Sequence, residues 1–396
     1  MSVPVTLPWS ENLLGYDFGV GHPMAPVRLR LTLELLTALG LLDDPAVHLV
    51  DAPVADDAAL TTVHEAAYVR AVRAASTGTP DRTRGLGTDD DPIFPGMHEA
   101  SARIVGATLA GARAVWPGGP GGPAHAVSLA GGMHHAMPSR AAGFCVYNDL
   151  AAAIAWLLAN GCERVLYLDV DAHHGDGVER IFWNDPRVVT LSVHQSGQSL
   201  FPGTGFPQDI GSADARGSAI NVPLPAGTSD RGWLRAIEAV AGPVVRAFAP
   251  QVLVSQHGCD THARDPLTGL EVSVDGQRAA AQLIAGWAAE HAGGRWLATG
   301  GGGYDLVSTV PRAWSHLVAV SLGRPIDPDT EVPAAWQDLA RRLTGAEVPT
   351  RMGEGRNVDF RPWLDGYDPA DPVDRAIMAT RRTAFPHHGL EPMTAE

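Results

Sequence analysis

Residues 168–177 read Leu-Asp-Val-Asp-Ala-His-His-Gly-Asp-Gly, directly after the apolar residues Val165, Leu166 and Tyr167. A short unbroken apolar run that ends in ionisable residues reads as a buried parallel strand carrying its polar cargo at its C-terminal end. Asp171 and His173 are two residues apart. In an extended chain such side chains share a face, so both can reach one divalent cation. Burying this many ionisable groups costs several kcal/mol unless they pair or bind an ion. The stretch therefore reads as a site.

The flanking sequence repeats the pattern. Strands are expected at 126–129, 165–170, 188–193, 252–255 and 296–299, alternating with helices at 150–159, 177–183, 230–248 and 276–291. Each strand runs into a polar cluster: GGMHH at 131–135, DAHHGDG at 171–177, HQSG at 194–197, QHGCD at 256–260 and GGGGYD at 300–305. Strands alternating with helices give a parallel α/β sheet, and ligands bind such sheets outside the carboxyl ends of the strands. Helices are also expected at 26–42, 62–75 and 98–115, with a surface connection at 117–123. The expected architecture is one three-layer α/β domain over 1–323, built on a central, mostly parallel sheet. Residues 324–396, where Pro, Asp and Arg increase, are expected to pack on it as an extension with a helix at 334–343. There is no internal repeat.

Composition narrows the function. The net charge is −15, from 29 basic and 44 acidic residues. That argues against nucleic acid or an anionic membrane as partner, since both need a basic patch. It leaves cationic substrates open. Three cysteines (Cys145, Cys162 and Cys259) form no CxxC pair and no disulfide framework, which suggests a reducing cytoplasm. No basic segment followed by an apolar one opens the chain, so no signal peptide is expected. The longest helical apolar run, 150–159, is far short of the ~18 residues of a membrane span.

A catalytic metal needs a third ligand, and Asp260 at the end of another strand can supply it. Two Asp and one His leave coordination positions open. Alone, such an Asp is more often a cap or turn residue. His134 and His135 follow two glycines that permit an unusual backbone, turning both imidazoles to one site. Asp169 and Asp176 are spare carboxylates that can orient the two histidines as dyads. Gly300–Gly303 match no phosphate-loop spacing. A flexible backbone there could instead place the Tyr304 hydroxyl over the metal, as a donor to a developing oxyanion.

These residues resemble the histone deacetylase superfamily, with its arginase-like fold, and within it the acetoin-utilisation (AcuC) branch. The matching strings are GHPMAPVR (21–28), DDDPIFPGM (89–97), GGMHH (131–135), GFCVYND (143–149), LDVDAHHGDGVE (168–179), FPGTG (201–205), QHGCD (256–260) and GGGGY (300–304). The resemblance implies that Asp171, His173 and Asp260 are the metal ligands, normally for zinc and sometimes for iron(II). It implies tandem catalytic histidines His134 and His135, paired with Asp169 and Asp176, and a carbonyl-polarising Tyr304. Gly143, Phe144, Phe201 and Leu267 match walls of an acyl-lysine tunnel, Asp90 the rim carboxylate, and Arg28 an arginine beneath the metal. Potassium is implied near Asp169 and Ser192, on carbonyls of Asp171, His173 and Val193, with a second site at Phe182, Asp185 and Val188. Val146-Tyr147, a less basic loop after 194 and the lack of a basic tail weigh against histones and corepressors as partners.

The sequence thus leads to a metal-dependent amidohydrolase acting on Nε-acetyllysine, with acetyl-CoA synthetase as a guessed target. The rivals are an acetylpolyamine or other small-amide hydrolase, an arginase-like two-metal enzyme and a non-catalytic binder of acylated ligands. Oligomeric state is not legible.

Overall fold

The apolar segments become strands because an interior backbone must find partners, and side chains buried on both faces need a layer on each side. The computed structural model describes residues 3–394 apart from Pro120 and Pro123, so two positions of the 117–123 connection and the outermost residues of 1–323 and 324–396 lie outside the described residues. Eight strands are described: β1 Val5–Pro8, β2 Val47–Val50, β3 Ala124–Ser128, β4 Val165–Asp169, β5 Val188–Gln195, β6 Ala219–Leu224, β7 Val252–Gln256 and β8 Arg295–Thr299. They form one sheet in the order β2-β1-β3-β8-β7-β4-β5-β6. Every described pairing is parallel, so the sheet is wholly rather than mostly parallel.

The helices are α1 Val27–Ala38, α2 Asp57–Leu60, α3 Ala66–Ala75, α4 Met97–Val115, α5 Asp149–Ala159, α6 Asp176–Phe182, α7 Asp230–Phe248, α8 Val274–His291, α9 Val310–Ser321, α10 Ala334–Thr344 and α11 Pro372–Ala384. They cover both faces, as the alternation of β3 shows. Ala126 faces α4, where a Cβ on Gly111 would lie 3.2 Å from it. Its neighbour His125 points the other way, its Nδ1 2.6 Å from the Ser321 carbonyl of α9.

The expected strands and helices are present, with ends shifted by a few residues, apart from 62–75. There the helix begins only at Ala66, after the separate turn of α2. Strands β1, β2 and β6 were not anticipated. The first two have four residues each, and β2 at the sheet edge is not buried. Strand β6 carries Pro223, which a sheet tolerates at an edge, and β6 is the other edge.

The two helices of the segment after 323 pack in different places. Helix α10 lies on α1, with Trp336 Nε1 donating to the Leu31 carbonyl at 2.8 Å within a small separate core. Helix α11 lies on β6 and α7 and joins the main core through Ile377, Met378 and Phe385. A buried ion pair locks it there. Arg235 of α7 donates Nε to Asp374 Oδ1 at 2.6 Å and Nη2 to Oδ2 at 3.0 Å. Removing one partner of such a pair strands the other charge, so Asp374→Ala should cost about 3–5 kcal/mol in denaturant unfolding. A change under about 1 kcal/mol would mean that the ion pair adds little to the other contacts that hold the extension.

Candidate active site

The central strands β3, β8, β7 and β4 deliver their C-terminal ends side by side. Asp171 and His173 follow β4, and Asp260 follows β7, whose Gln256 pairs with Asp169. His173 Nδ1 lies 3.1 Å from Asp171 Oδ1 and 2.9 Å from Asp260 Oδ2. One ligand atom from each residue falls within 4.8 Å of the others, and this is the one such group among the described residues.

The electrostatics of the triad fit a cation. Both carboxylates are fully buried. Burial and the charge of Asp171 push Asp260 up to about 8. Asp171 is held well below the usual range, the pull of burial being overcome by His134 and His173. His173 is driven up to about 10 because its bonds to Asp171 and Asp260 outweigh its burial. Two converging carboxylates thus recruit a proton and an imidazolium to balance them. A divalent cation satisfies the same demand with oxygen and nitrogen donors and leaves the imidazole neutral.

Neighbouring groups aim these ligands. Gln256 Nε2 donates to Asp171 Oδ2 at 2.7 Å, and the Gly302 N–H donates to the same oxygen at 3.0 Å. The Ala172 N–H donates to Asp260 Oδ1 at 2.8 Å. Arg28 lies below, donating Nη1 to the Gly301 carbonyl at 2.8 Å and to Gly303 at 3.2 Å.

The two histidines stand beside the triad as expected. Gly132 adopts φ +101°, which turns the chain so that His134 and His135 both face inward, with their Nε2 atoms 3.0 Å apart. Asp149 holds that turn by accepting the N–H groups of Gly132 and Met133. His134 Nδ1 donates to Asp169 Oδ2 and His135 Nδ1 to Asp176 Oδ1, each at 2.7 Å. His134 Nε2 is 4.0 Å from Asp171 Oδ1. Burial lowers both imidazoles, but Asp169 and Asp171 lift His134 to about 9. His135, buried and beside His134, falls to about 4. The pair is therefore one cation and one neutral base.

The other expected residues lie around His135 and Tyr304 or at the cavity beside them. Phe201, 45% exposed, sets its ring 5.0 Å from His135 and 6.4 Å from His173. A Cβ on Gly143 would lie 2.5 Å from the His135 ring, so Gly143 is pressed between His135 and Phe201. Phe144 meets Tyr304 edge-on at 5.7 Å. Burial and the charges of Asp260 and Asp171 keep the Tyr304 phenol protonated. Leu267 is partly exposed, tied through its N–H to Asp265, which also accepts the Tyr304 N–H. Asp90, exposed, borders a cavity of about 890 Å³ shared with Gly143 and Phe201.

The residues expected around potassium are adjacent, Asp169 pairing with Ser192 across β4 and β5. Phe182, Asp185 and Val188 follow one turn, in which the Asp185 carboxylate is taken by Arg187. Gln256, Asp149 and Asp265 escaped the sequence reading. The first two stood inside the quoted strings QHGCD and GFCVYND. Nothing in the sequence marks Asp265.

Residues 22–321 match the family described as Histone deacetylase domain. The chain is 38% identical over 380 residues to the Acetoin utilization protein AcuC of Bacillus subtilis (strain 168), covering 95% of this chain and 94% of that protein. It is 35% identical to the protein of the same name from Staphylococcus xylosus, over 88% of this chain and 90% of that one. Among solved structures, an HDAC homolog complexed with SAHA superposes with a TM-score of 0.82, and an HDAC homolog from Aquifex aeolicus with 0.80. Each is 27% identical, over 96% of this chain and all of the other.

Gly258 tests the metal reading. A Cβ there would sit 1.9 Å from Asp171 Oδ2, so Gly258→Ala must push that carboxylate aside. The variant should keep the wild-type circular dichroism but purify with well under half a metal ion per chain. Full occupancy would remove Asp171 from the ligand set.

Proposed function

The chain belongs to the histone deacetylase family, and on that premise we propose that it is a zinc-dependent deacetylase that hydrolyses Nε-acetyllysine to lysine and acetate. The observation that carries the reading is the open Asp171–His173–Asp260 donor set facing two carboxylate-anchored histidines of unlike charge. Zinc is the ion proposed, with iron(II) the other that such donors accept. A divalent cation held there acts as a Lewis acid on an amide carbonyl and makes water a better nucleophile at neutral pH.

The side chains carry the proton traffic. His135 is neutral, its Nδ1 proton committed to Asp176, so its Nε2 lone pair can take the proton of the attacking water. His134, anchored on Asp169, stands beside it with its Nε2 3.0 Å from that of His135, where the tetrahedral oxyanion develops. The proton held by the pair then passes to the leaving lysine amine. The Tyr304 phenol donates to the oxyanion. Phe144, Phe201, Gly143 and Leu267 enclose the four-carbon stem, and Asp90 at the rim holds the substrate backbone. Potassium on the carbonyls after β4 and β5 belongs to the same reading, as does a cytoplasmic setting, in keeping with three free buried thiols.

A polypeptide substrate is favoured over a small amine by the size of the cavity beside the mouth, about 890 Å³. Acetyl-CoA synthetase is the proposed target, resting only on the acetoin link in the relatives' name. The chain has no lysine of its own, all 29 of its Lys and Arg residues being arginine, so its lysine substrates lie on other molecules.

The first test is acetate release from acetyllysine peptides beside acetylspermidine, with chelator and zinc add-back. Peptide turnover lost to the chelator and restored by zinc is expected. Turnover of the polyamine alone would move the function to small-molecule metabolism, and none on either would sink the reaction. Tyr304→Phe should retain the metal and lose about 10²–10³ in kcat, the usual loss for one oxyanion donor. Near-normal kcat would remove Tyr304 from that role.

A further inference from the structure

Outside the span that matches the family, the 351–356 segment crosses the back of the metal-binding loop. Both ends of this strap are fixed. Asp275 at the start of α8 accepts the N–H groups of Glu354 and Arg356 at 3.0 and 2.9 Å. Arg312 of α9 donates Nη1 to the carbonyls of Arg351 and Gly353, each at 3.2 Å. The strap is thereby held with Glu354 pointing inward. Its carboxylate accepts Arg312 Nη2 at 2.7 Å and His262 Nε2 at 3.1 Å.

His262 is the hub of the loop that carries Asp260. Its N–H donates to the Cys259 carbonyl at 3.2 Å, and its carbonyl accepts the Asp265 N–H at 2.8 Å. Its Nδ1 accepts the Arg264 N–H at 3.1 Å, so the ring proton sits on Nε2, facing Glu354. One residue, through two backbone bonds and one ring bond, thus closes the turn between Asp260, a metal-ligand candidate, and Asp265, which holds the backbone of Tyr304. The ring is buried, and Glu354 accepts its proton.

We infer that Glu354 is a positioning residue for the metal centre, and that the C-terminal extension is part of the active site through it. Glu354 fixes the tautomer and angle of His262, His262 fixes the 259–265 turn, and the turn sets Asp260 against Asp171 and His173. A carboxylate bonded directly to a ligand typically changes metal affinity by about 10–100-fold when lost, and Glu354, which acts one residue further out through His262, belongs at the lower end of that range. The inference rests on the metal reading of Asp171, His173 and Asp260. It does not depend on the substrate.

The test is zinc affinity of the full chain, measured by competition with a chromogenic chelator in the absence of substrate, for wild type, Glu354→Gln, Glu354→Asp and Trp336→Ala. Glu354→Gln keeps the shape but loses the charge that holds the His262 proton. It should weaken zinc binding by about tenfold or more, with Glu354→Asp recovering part of the loss. Trp336→Ala loosens the same extension in its small core, which includes Met352 of the strap, and should lower Tm with a much smaller loss of zinc affinity than Glu354→Gln. In loaded enzyme, Glu354→Gln should lower kcat with little change in KM. Wild-type zinc affinity in Glu354→Gln would overturn the inference. So would a loss that simply tracks Tm, as shown by an equal loss in Trp336→Ala. Affinity is read without turnover, so an error in the proposed reaction leaves this result standing.

Discussion

Two carboxylates, Asp171 and Asp260, are buried at the ends of adjacent strands and converge on one imidazole. Like charges at that distance in a low-dielectric interior cannot both persist without a counter-charge. Much of the surrounding structure answers this demand. Gln256 and the N–H groups of Gly302 and Ala172 spend their hydrogen bonds on the two carboxylates, which orients them without neutralising them. Arg28 is near but is committed to the carbonyls of Gly301 and Gly303, so it supports the loop and does not quench the site. The compensating charge is left to a proton or a cation. A wholly parallel sheet makes this possible, since only parallel strands bring four loop starts to one edge.

Legibility in the sequence followed how local each cause was. The β4 segment was readable because a strand buried on both faces must be apolar throughout, whereas Asp171 and His173 converge just past its end, in a bend where the His173 N–H donates to Asp171 Oδ1 at 2.9 Å, and not by strand alternation. The partners of His134 and His135 were readable because spare carboxylates stood within the same short stretch. Tyr304 had more than one reading from the residues, since four glycines before a tyrosine fit several backbones, and the resemblance favoured one of them. Gln256, Asp149 and Asp265 act through hydrogen bonds to residues 16 to 85 positions away in sequence, which periodicity does not register. The edge strands β1, β2 and β6 were missed because short or proline-bearing segments are carried by their neighbours rather than by their own pattern. Helix α11 was hidden for a related reason. It is arginine-rich, and its place depends on the distant Arg235.

The two histidine dyads are alike in their hydrogen bonds and unlike in their fields. Each imidazole donates Nδ1 to a buried carboxylate at 2.7 Å, so the bonds alone do not distinguish them. The difference is the second neighbour. His134 has Asp171 within 4.0 Å as well as Asp169, whereas His135 has Asp176 and, on its other side, the cationic His134. One proton therefore settles on His134 and electrostatically excludes a second from His135, although their Nε2 atoms are only 3.0 Å apart. A tandem pair of identical residues becomes a fixed charge and a free base without any difference in residue type. The asymmetry comes from the course of the chain after β4. Asp169 ends that strand and Asp171 follows it directly, while Asp176 opens α6 beyond. The division of labour between the histidines is thus a property of where the carboxylates sit in the fold. Moving Asp171's charge, by substitution or by binding a cation, must change His134 more than His135.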